Sequence, residues 1–402
     1  MANTPKKGVK ALSKRKKGKS ELLIKSTDVL FKYSFDMLIC MIPLAIISIY
    51  LYGVNVLWLV LTSVITAVLC EYIAFRIMKK DKTINDLSAV ATGLALALML
   101  PASAPLYFAL AGSAFSILVA KVPFGSARKT PFVPAAAGFA FLSVCFSKEV
   151  FSYPLSSAAA ASISTNSASN IGTSFGEMLT YGKSISLNPL EIISILTGKN
   201  PGPLGTTCML AMIGIAIYLL VKRPKRFTIT FSFLLAAALM ALAFPRVNSG
   251  RITSLVMELS AGSLVFVSLI LLPDPANSPK KFPQTFFYGF FAGIICMLLR
   301  YYGKYPECDC FAVLIMNAVF PVCEDWSVIL KNRIQEKKEF KKAVKKDKEL
   351  AKLLEEEQED LSDLNADTEN PDDYESAFLS SNESETSYIN DEYTDGGEDD
   401  EG

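Results

Sequence analysis

The sequence predicts an all-α polytopic membrane protein with about ten transmembrane helices in two inverted five-helix repeats, followed by a disordered acidic C-terminal tail. The first observation is that 51% of the residues are hydrophobic and the mean hydropathy is +0.34, although both ends are densely charged. A spanning helix needs about 20 mainly apolar residues, and several central runs approach that length. The other two observations are the distribution of basic loops and a repeated apolar pattern.

Residues 1–34 are predicted to form a basic cytoplasmic arm. Eight Lys and Arg residues lie between positions 6 and 19. Because some thirty polar residues precede the first apolar run, and this run resembles a membrane span more than the short core of a signal peptide, we expect no cleavable signal.

Ten apolar runs follow in two groups of five. Residues 35–146 contain predicted helices 1–5, at 35–52, 54–75, 87–100, 106–121 and 132–146. Residues 205–330 contain predicted helices 6–10, at 205–221, 227–244, 255–272, 282–300 and 311–330. Between the groups, residues 147–204 are rich in Ser, Ala, Asn and Thr and have no apolar run long enough to span.

The distribution of Lys and Arg supports this count independently. With the arm inside, an even number of spans places both termini in the cytoplasm. The loops near 76–82, 121–129, 222–226 and 280–281 then face inward, and they carry most of the basic residues. This agrees with the positive-inside rule. The segment 147–204 is therefore predicted to be an extracytoplasmic loop.

A weak internal repeat relates the two groups. One apolar run ends at Pro101 to Pro105 and another at Pro273 to Pro279, and each is followed by a further span. By the predicted topology the first run points outward and the second inward, so the halves are inverted. Paired short segments of this kind often bracket a central site or pathway; chance similarity between apolar segments is the alternative.

The C-terminal part divides into two segments. Residues 331–359 are predicted to form a charged cytoplasmic helix. Residues 355–402 contain 20 of the 39 acidic residues and no Lys or Arg, so residues 360–402 are predicted to be a disordered acidic tail. A solvated tail is the simpler interpretation, and a docking segment for a soluble partner is the other.

Few residues offer chemistry of their own. The chain has no histidine, the most common general base and metal ligand. Five acidic residues lie at or near span ends: Glu71, Asp86, Glu258, Glu324 and Asp325. Placement at the membrane interface is the simpler interpretation, and an ion-pathway role for Asp86 or Glu258 is the alternative. Most cysteines are interpreted as buried apolar side chains, with a redox or metal role for Cys308 and Cys310 as a lesser alternative.

Four ordered motifs make the sequence recognisable. They are Asp86 to Pro101, Asn200 to Thr207, the Asp274-Pro275 turn with Ser278-Pro279, and Tyr305-Pro306 followed by Phe311 to Ala318. Together, over roughly residues 30–330, they resemble the RnfD/NqrB family. RnfD belongs to the Rnf ion-translocating oxidoreductase, and its kin NqrB belongs to the sodium-translocating NADH:quinone reductase. The chain is similar to a divergent member, because the acidic tail has no counterpart in the family pattern.

The resemblance implies a ten-helix flavoprotein that carries FMN through a phosphoester bond to a threonine on the outer side. The family's acceptor motif reads Ser-Gly-Ala-Thr, and the nearest match is Asn170-Ile171-Gly172-Thr173. Thr173 is therefore the candidate covalent FMN site, with Thr165 second. A separate flavin transferase that uses FAD as donor would attach the cofactor.

The function that the resemblance implies is electron transport coupled to ion transport. Electrons, linked to ferredoxin and NAD, would pass through partner subunits and this flavin in the multi-pass cell (inner) membrane of a prokaryote. The chain would not be a complete enzyme alone; its expected partners are other membrane and soluble subunits of an Rnf-like translocase and membrane lipid, without nucleic acid. The alternatives are a flavin-free transporter or channel on the same inverted-repeat scaffold, and a structural anchor that recruits soluble proteins.

Overall fold

A computed structural model describes residues 31–78, 87–124, 130–155, 172, 174–181, 189–247, 250–279, 281–303, 305 and 307–321, and nine positions between 333 and 348. Across these residues the regular structure is helical, and no β-strand is formed. The chain is an all-α polytopic membrane protein, as the sequence predicted. Most of the basic arm and the whole segment 360–402 lie outside the described residues.

The first half consists of five apolar helices. Gly53 separates the first two with a φ of 90°, a left-handed conformation that glycine adopts without a steric penalty. Pro134 begins the fifth, where its missing N–H would have had no helical partner. The helices are α1 (Phe31–Tyr52), α2 (Val54–Ile77), α3 (Ser88–Met99), α4 (Leu106–Leu118) and α5 (Pro134–Cys145).

Three short helices occupy the described parts of the segment between the halves. They are α6 (Ser147–Val150), α7 (Phe175–Thr180) and α8 (Pro189–Thr197). The longest has nine residues, about 14 Å at 1.5 Å per residue, too short to span. This agrees with the absence of a long apolar run in the sequence.

The second half contains six helices. They are α9 (Met209–Lys222), α10 (Pro224–Ala243), α11 (Arg251–Ser260), α12 (Leu264–Leu271), α13 (Phe282–Tyr302) and α14 (Asp309–Pro321). The predicted single span at 255–272 is wrong in detail. It is a pair, α11 and α12, bent by 65° around Gly262, whose φ is +59°.

The ten predicted runs thus all contain helices, but not all of these helices are long. Five described helices are long and apolar enough to cross a membrane, or six if the bent pair counts as one span. The other apolar helices have 12 to 14 residues, about 18–21 Å against a hydrocarbon core of roughly 30 Å. Hydropathy identifies such segments without showing how deeply each one penetrates.

Corresponding helices pack in the same way in both halves. In the first half α2 packs against α3 and α4, and in the second half α10 packs against α12 and α13. One hydrophobic core joins the halves and includes fully buried Leu96 and Leu98 of α3 and Phe266 and Val267 of α12. The packing is therefore that of an internal repeat, while the inversion of the halves across the membrane stays a prediction.

Residues 325–402 form a second unit. Within it, the described positions between 333 and 348 are helical, and Phe340 is exposed.

Candidate functional site

Thr173, the predicted flavin attachment residue, lies outside the described residues, but both of its neighbours are described. The Gly172 amide donates to the Tyr153 carbonyl oxygen over 3.0 Å. Ser174 is buried and caps α7, accepting a hydrogen bond from the Glu177 amide at 3.2 Å, an arrangement that satisfies a free amide at a helix start. The segment is thus anchored on both sides of position 173.

The anchored segment packs against the second half and against the loop before α9. Leu179 of α7 is buried with Met257 and Ala261 of the α11 region. A Cβ on Gly172 would approach the Pro201 side chain to 2.8 Å, closer than van der Waals contact, so the close approach requires glycine here. Folding thereby brings the Asn200–Thr207 motif beside the predicted acceptor.

A small cavity of about 20 Å³ lies at this contact. It is lined by residues of the Asn200–Thr207 motif, by Phe175 of α7 and by Ser260 and Gly262 at the bend, among others. The Asn200 side chain accepts a hydrogen bond from the Ser194 hydroxyl at 3.2 Å, while its buried amide nitrogen has no partner within the described residues. A buried donor without a partner is costly and suits an acceptor such as a phosphate oxygen.

The donors fit the phosphoester end of FMN, because an amide N–H and two threonine hydroxyls, of Thr206 and Thr207, surround small residues. The volume does not fit the isoalloxazine ring, since about 20 Å³ holds roughly one water-sized group. A flavin attached at Thr173 would therefore place only its phosphate end near this cavity.

A network of four charged residues lies on the other side of the bend. Arg300 of α13 binds Asp309 in a bidentate pair, with Nε–Oδ1 2.7 Å and Nη2–Oδ2 2.8 Å. Arg246 binds the Glu258 carboxylate at 2.6 Å, and Arg300 approaches the same carboxylate at 3.5 Å. Arg300, Asp309 and Glu258 are at most 3% exposed, so the charges compensate one another away from water.

Arg300 also stabilises the bend itself. Its guanidinium donates to the carbonyl oxygens of Glu258 at 3.1 Å and Ala261 at 2.8 Å. These carbonyls lie where α11 stops, and helix ends leave carbonyls without helical partners. A break in an apolar helix requires such substitutes, so one side chain both neutralises two carboxylates and completes the broken helix.

Glu307 extends this network without taking part in its ion pairs. It is 1% exposed, and neither carboxylate oxygen has a hydrogen-bond partner in the described part of the chain. The equally unpartnered Tyr153 hydroxyl lies beside it. Burial, reinforced by the nearby Asp309 charge, raises the pKa of Glu307 to about 8. Burial likewise raises the pKa of Cys308 to about 11, so this thiol is protonated at neutral pH.

Three of the acidic residues predicted at span ends lie outside the described residues: Asp86, Glu324 and Asp325. The interfacial interpretation of Glu258 is wrong, because two arginines hold it inside the protein. Glu71 is also largely buried, and its carboxylate binds Lys121 at 2.7 Å. Opposite charges from distant helices make these positions tolerable.

The largest described cavity, of about 90 Å³, lies between the two Pro-ended segments. Ser88 and Thr92 of α3, Ile270 of α12 and the side chains of Lys121 and Asp274 are among its lining residues. Lys121 donates to the Ser88 hydroxyl over 2.7 Å. The paired segments therefore bracket a central cavity, as their repetition suggested.

Sequence reasoning missed the roles of Arg300, Glu307 and Asp309. Arg300 was grouped with outside-loop cations, because it stands near the end of an apolar run. The signal that could have identified it is a single arginine followed within nine residues by two acids and a Tyr-Pro turn, since a cation near membrane depth requires a partner.

Comparison with known proteins identifies relatives over most of the chain. The NQR2, RnfD, RnfE family profile matches residues 19–330. The RnfD subunit of the Na(+)-translocating ferredoxin:NAD(+) oxidoreductase complex of Acetobacterium woodii is 30% identical over 312 residues, covering 77% of this chain and 92% of the relative.

Two further relatives point the same way. The corresponding subunit of the proton-translocating ferredoxin:NAD(+) oxidoreductase complex of Clostridium ljungdahlii is 26% identical and covers 77% of this chain and 93% of its own length. The corresponding subunit of the ion-translocating oxidoreductase complex of Salmonella dublin is 27% identical, with 68% and 86% covered. The chain belongs to the NQR2, RnfD, RnfE family.

Proposed function

We propose that the chain is the RnfD-type membrane subunit of an Rnf-type electron-transport complex, and that it carries FMN on Thr173 and passes electrons in a reaction coupled to ion translocation. The observation that carries the proposal is the anchored Gly172–Ser174 segment beside a cavity with an unpartnered Asn200 amide. The names of the relatives, which couple ferredoxin and NAD(+) to ion translocation, support the same function.

Flavin supplies one- and two-electron chemistry when bound, while the protein orients it and sets its environment. The Thr173 hydroxyl would form the phosphoester, and the Asn200 amide and neighbouring threonine hydroxyls would hold the phosphate oxygens. The Tyr153 carbonyl and the α7 cap keep the attachment segment in place.

The partners follow from this function. Other membrane and soluble subunits of the complex supply the remaining redox centres, and a flavin transferase with FAD as donor attaches the cofactor. The complex lies in a prokaryotic cell (inner) membrane, with both termini of this chain in the cytoplasm and residues 147–204 outside.

The first test is the fluorescence of the denatured full-length chain on a gel. The wild-type chain, co-expressed with a flavin transferase, should show a yellow-green flavin band under ultraviolet light. Thr173→Ala should abolish the band without lowering the amount of protein, whereas Thr165→Ala should keep it. A wild-type chain without the band, or a band that survives in Thr173→Ala, contradicts attachment at this residue.

The second prediction concerns the cavity beside the segment. Asn200→Leu removes the unpartnered amide donor but keeps the side-chain size, so it should lower the yield of covalent FMN several-fold. Flavin fluorescence normalised to protein measures this yield. Thr180→Ala is the control, because the Thr180 hydroxyl bonds only its own helix, at the Gly176 carbonyl. Equal yields from Asn200→Leu and wild type would exclude a phosphate contact at Asn200.

A flavin-free transporter is the second candidate function. The 90 Å³ cavity between the Pro-ended segments favours it, since Lys121 and Asp274 supply opposite charges at its wall. A flavin-free wild-type chain that moves an ion into proteoliposomes, with transport lost in Lys121→Met, would favour this function over electron transfer.

A further inference from the structure

Glu307 is the acidic residue of the bend region that no cation neutralises. The nearby network has two guanidiniums, of Arg246 and Arg300, and each is already engaged by a carboxylate of Glu258 or Asp309. Glu307 adds a third carboxyl group to these two cations. Since an unpaired buried carboxylate is strongly disfavoured, a proton is the simplest ligand that restores neutrality.

The groups around Glu307 give no other source of compensation among the described residues. Tyr153, from the loop after α6, presents a neutral hydroxyl, and Asp309 of α14 presents a negative charge. Arg300 of α13 faces it as well, but its guanidinium is held by Asp309 and by two carbonyl oxygens. Cys308 and Cys310, its neighbours in sequence, are free thiols.

Close packing keeps the carboxyl group in this position. A Cβ on Gly262 would overlap the Glu307 carboxyl group, so the left-handed turn at Gly262 leaves the space that the side chain fills. Both oxygens of Glu307 and the Tyr153 hydroxyl are buried without partners among the described residues. The site thus has a carboxyl group that can carry a proton and a hydroxyl that can share it.

From this geometry we infer that Glu307, with Tyr153 beside it, is a buried proton-binding site at the bend between α11 and α12. The direction of its pKa agrees, since burial raises it to about 8. The site does not rest on the proposed function, because it requires no flavin. It lies one contact away from the attachment segment, since the Tyr153 carbonyl accepts the Gly172 amide.

The test is infrared difference spectroscopy of the full-length chain in lipid nanodiscs, titrated from acid to alkaline pH. The wild-type chain should show the C=O band of a protonated carboxylic acid at neutral pH, and this band should disappear at alkaline pH. Glu307→Gln should lack that titrating band. Exposed Glu149 provides the matched control, and Glu149→Gln should keep it.

Thermal unfolding of the same proteins gives a second measurement. A raised pKa means that the folded chain holds the proton more tightly than the unfolded chain does. The stabilisation is present below the ordinary glutamate pKa and is lost as the pH rises through about 8. The wild-type Tm should therefore fall over this range, and the Glu307→Gln Tm should fall less.

Two results would overturn the inference. One is a wild-type chain that shows no protonated-carboxyl band at neutral pH, or a band that Glu307→Gln leaves unchanged. The other is a neutral-pH band that appears in choline chloride and vanishes in sodium chloride, because Glu307 would then be a sodium ligand. The wild-type titration decides the first point even if Glu307→Gln does not fold.

Discussion

Arg300→Met should lower the free energy of unfolding by about 3–5 kcal/mol, the cost of removing one partner from a buried ion pair. The substitution leaves the Asp309 carboxylate without a cation, although the Ser263 hydroxyl still donates to it at 2.9 Å. It also frees the Glu258 and Ala261 carbonyl oxygens at the end of α11. We therefore expect loss of both the ion pair and the bend.

Unfolding of the purified chain in a denaturing detergent measures this loss. Arg251→Met is the matched control, since Arg251 is exposed at the start of α11 and should change stability by less than about 1 kcal/mol. The double variant Arg300→Met with Asp309→Leu should recover part of the loss, because it removes the orphaned charge. Equal stability of Arg300→Met and Arg251→Met would show that the network contributes little.

The second large effect is expected at the contact between α10 and α13. A Cβ on Gly289 would overlap the Ser232 Oγ and the Ile229 carbonyl oxygen. Because one of these atoms belongs to the backbone, a side-chain rotation cannot relieve the overlap. Gly289→Val should force the two helices apart and lower the stability by about 3 kcal/mol, the upper part of the usual range for overpacking.

Gly214→Val is the control for this substitution. Gly214 lies in α9, and a Cβ there meets no atom within 4 Å. Both variants place the same β-branched residue in an apolar helix, so their difference isolates the helix contact. The fraction of monodisperse protein after extraction and its Tm measure the effect. Similar values for the two variants would contradict close packing of α10 on α13.

Much of the fold could be predicted from local sequence properties. The boundaries of α2 and α13 agree with the predicted spans to within two residues at each end, because uninterrupted apolar composition ends at charged or turn residues. The repeat was detectable from Pro101 and Pro273, and the two segments that end there do face a common cavity.

The candidate site was predictable in part. The Asn200–Thr207 motif and the Gly172-Thr173 pair were identified separately, each by resemblance to a family pattern. Their proximity was not predictable, because the Gly172 contact with Pro201 joins residues 29 positions apart. Local patterns carry no information about which loops meet.

The amino-acid sequence by itself determined the membrane class, the ten apolar runs and the family, because hydropathy and motif order are properties of neighbouring residues. Tertiary structure alone decided that Arg300 closes the bend at Gly262, that Glu258 is internal, and that Glu307 has no cation among the described residues. These outcomes depend on which charges from distant helices reach each other first. With two guanidiniums and three carboxyl groups in one buried region, geometry decides which acid is left unpaired.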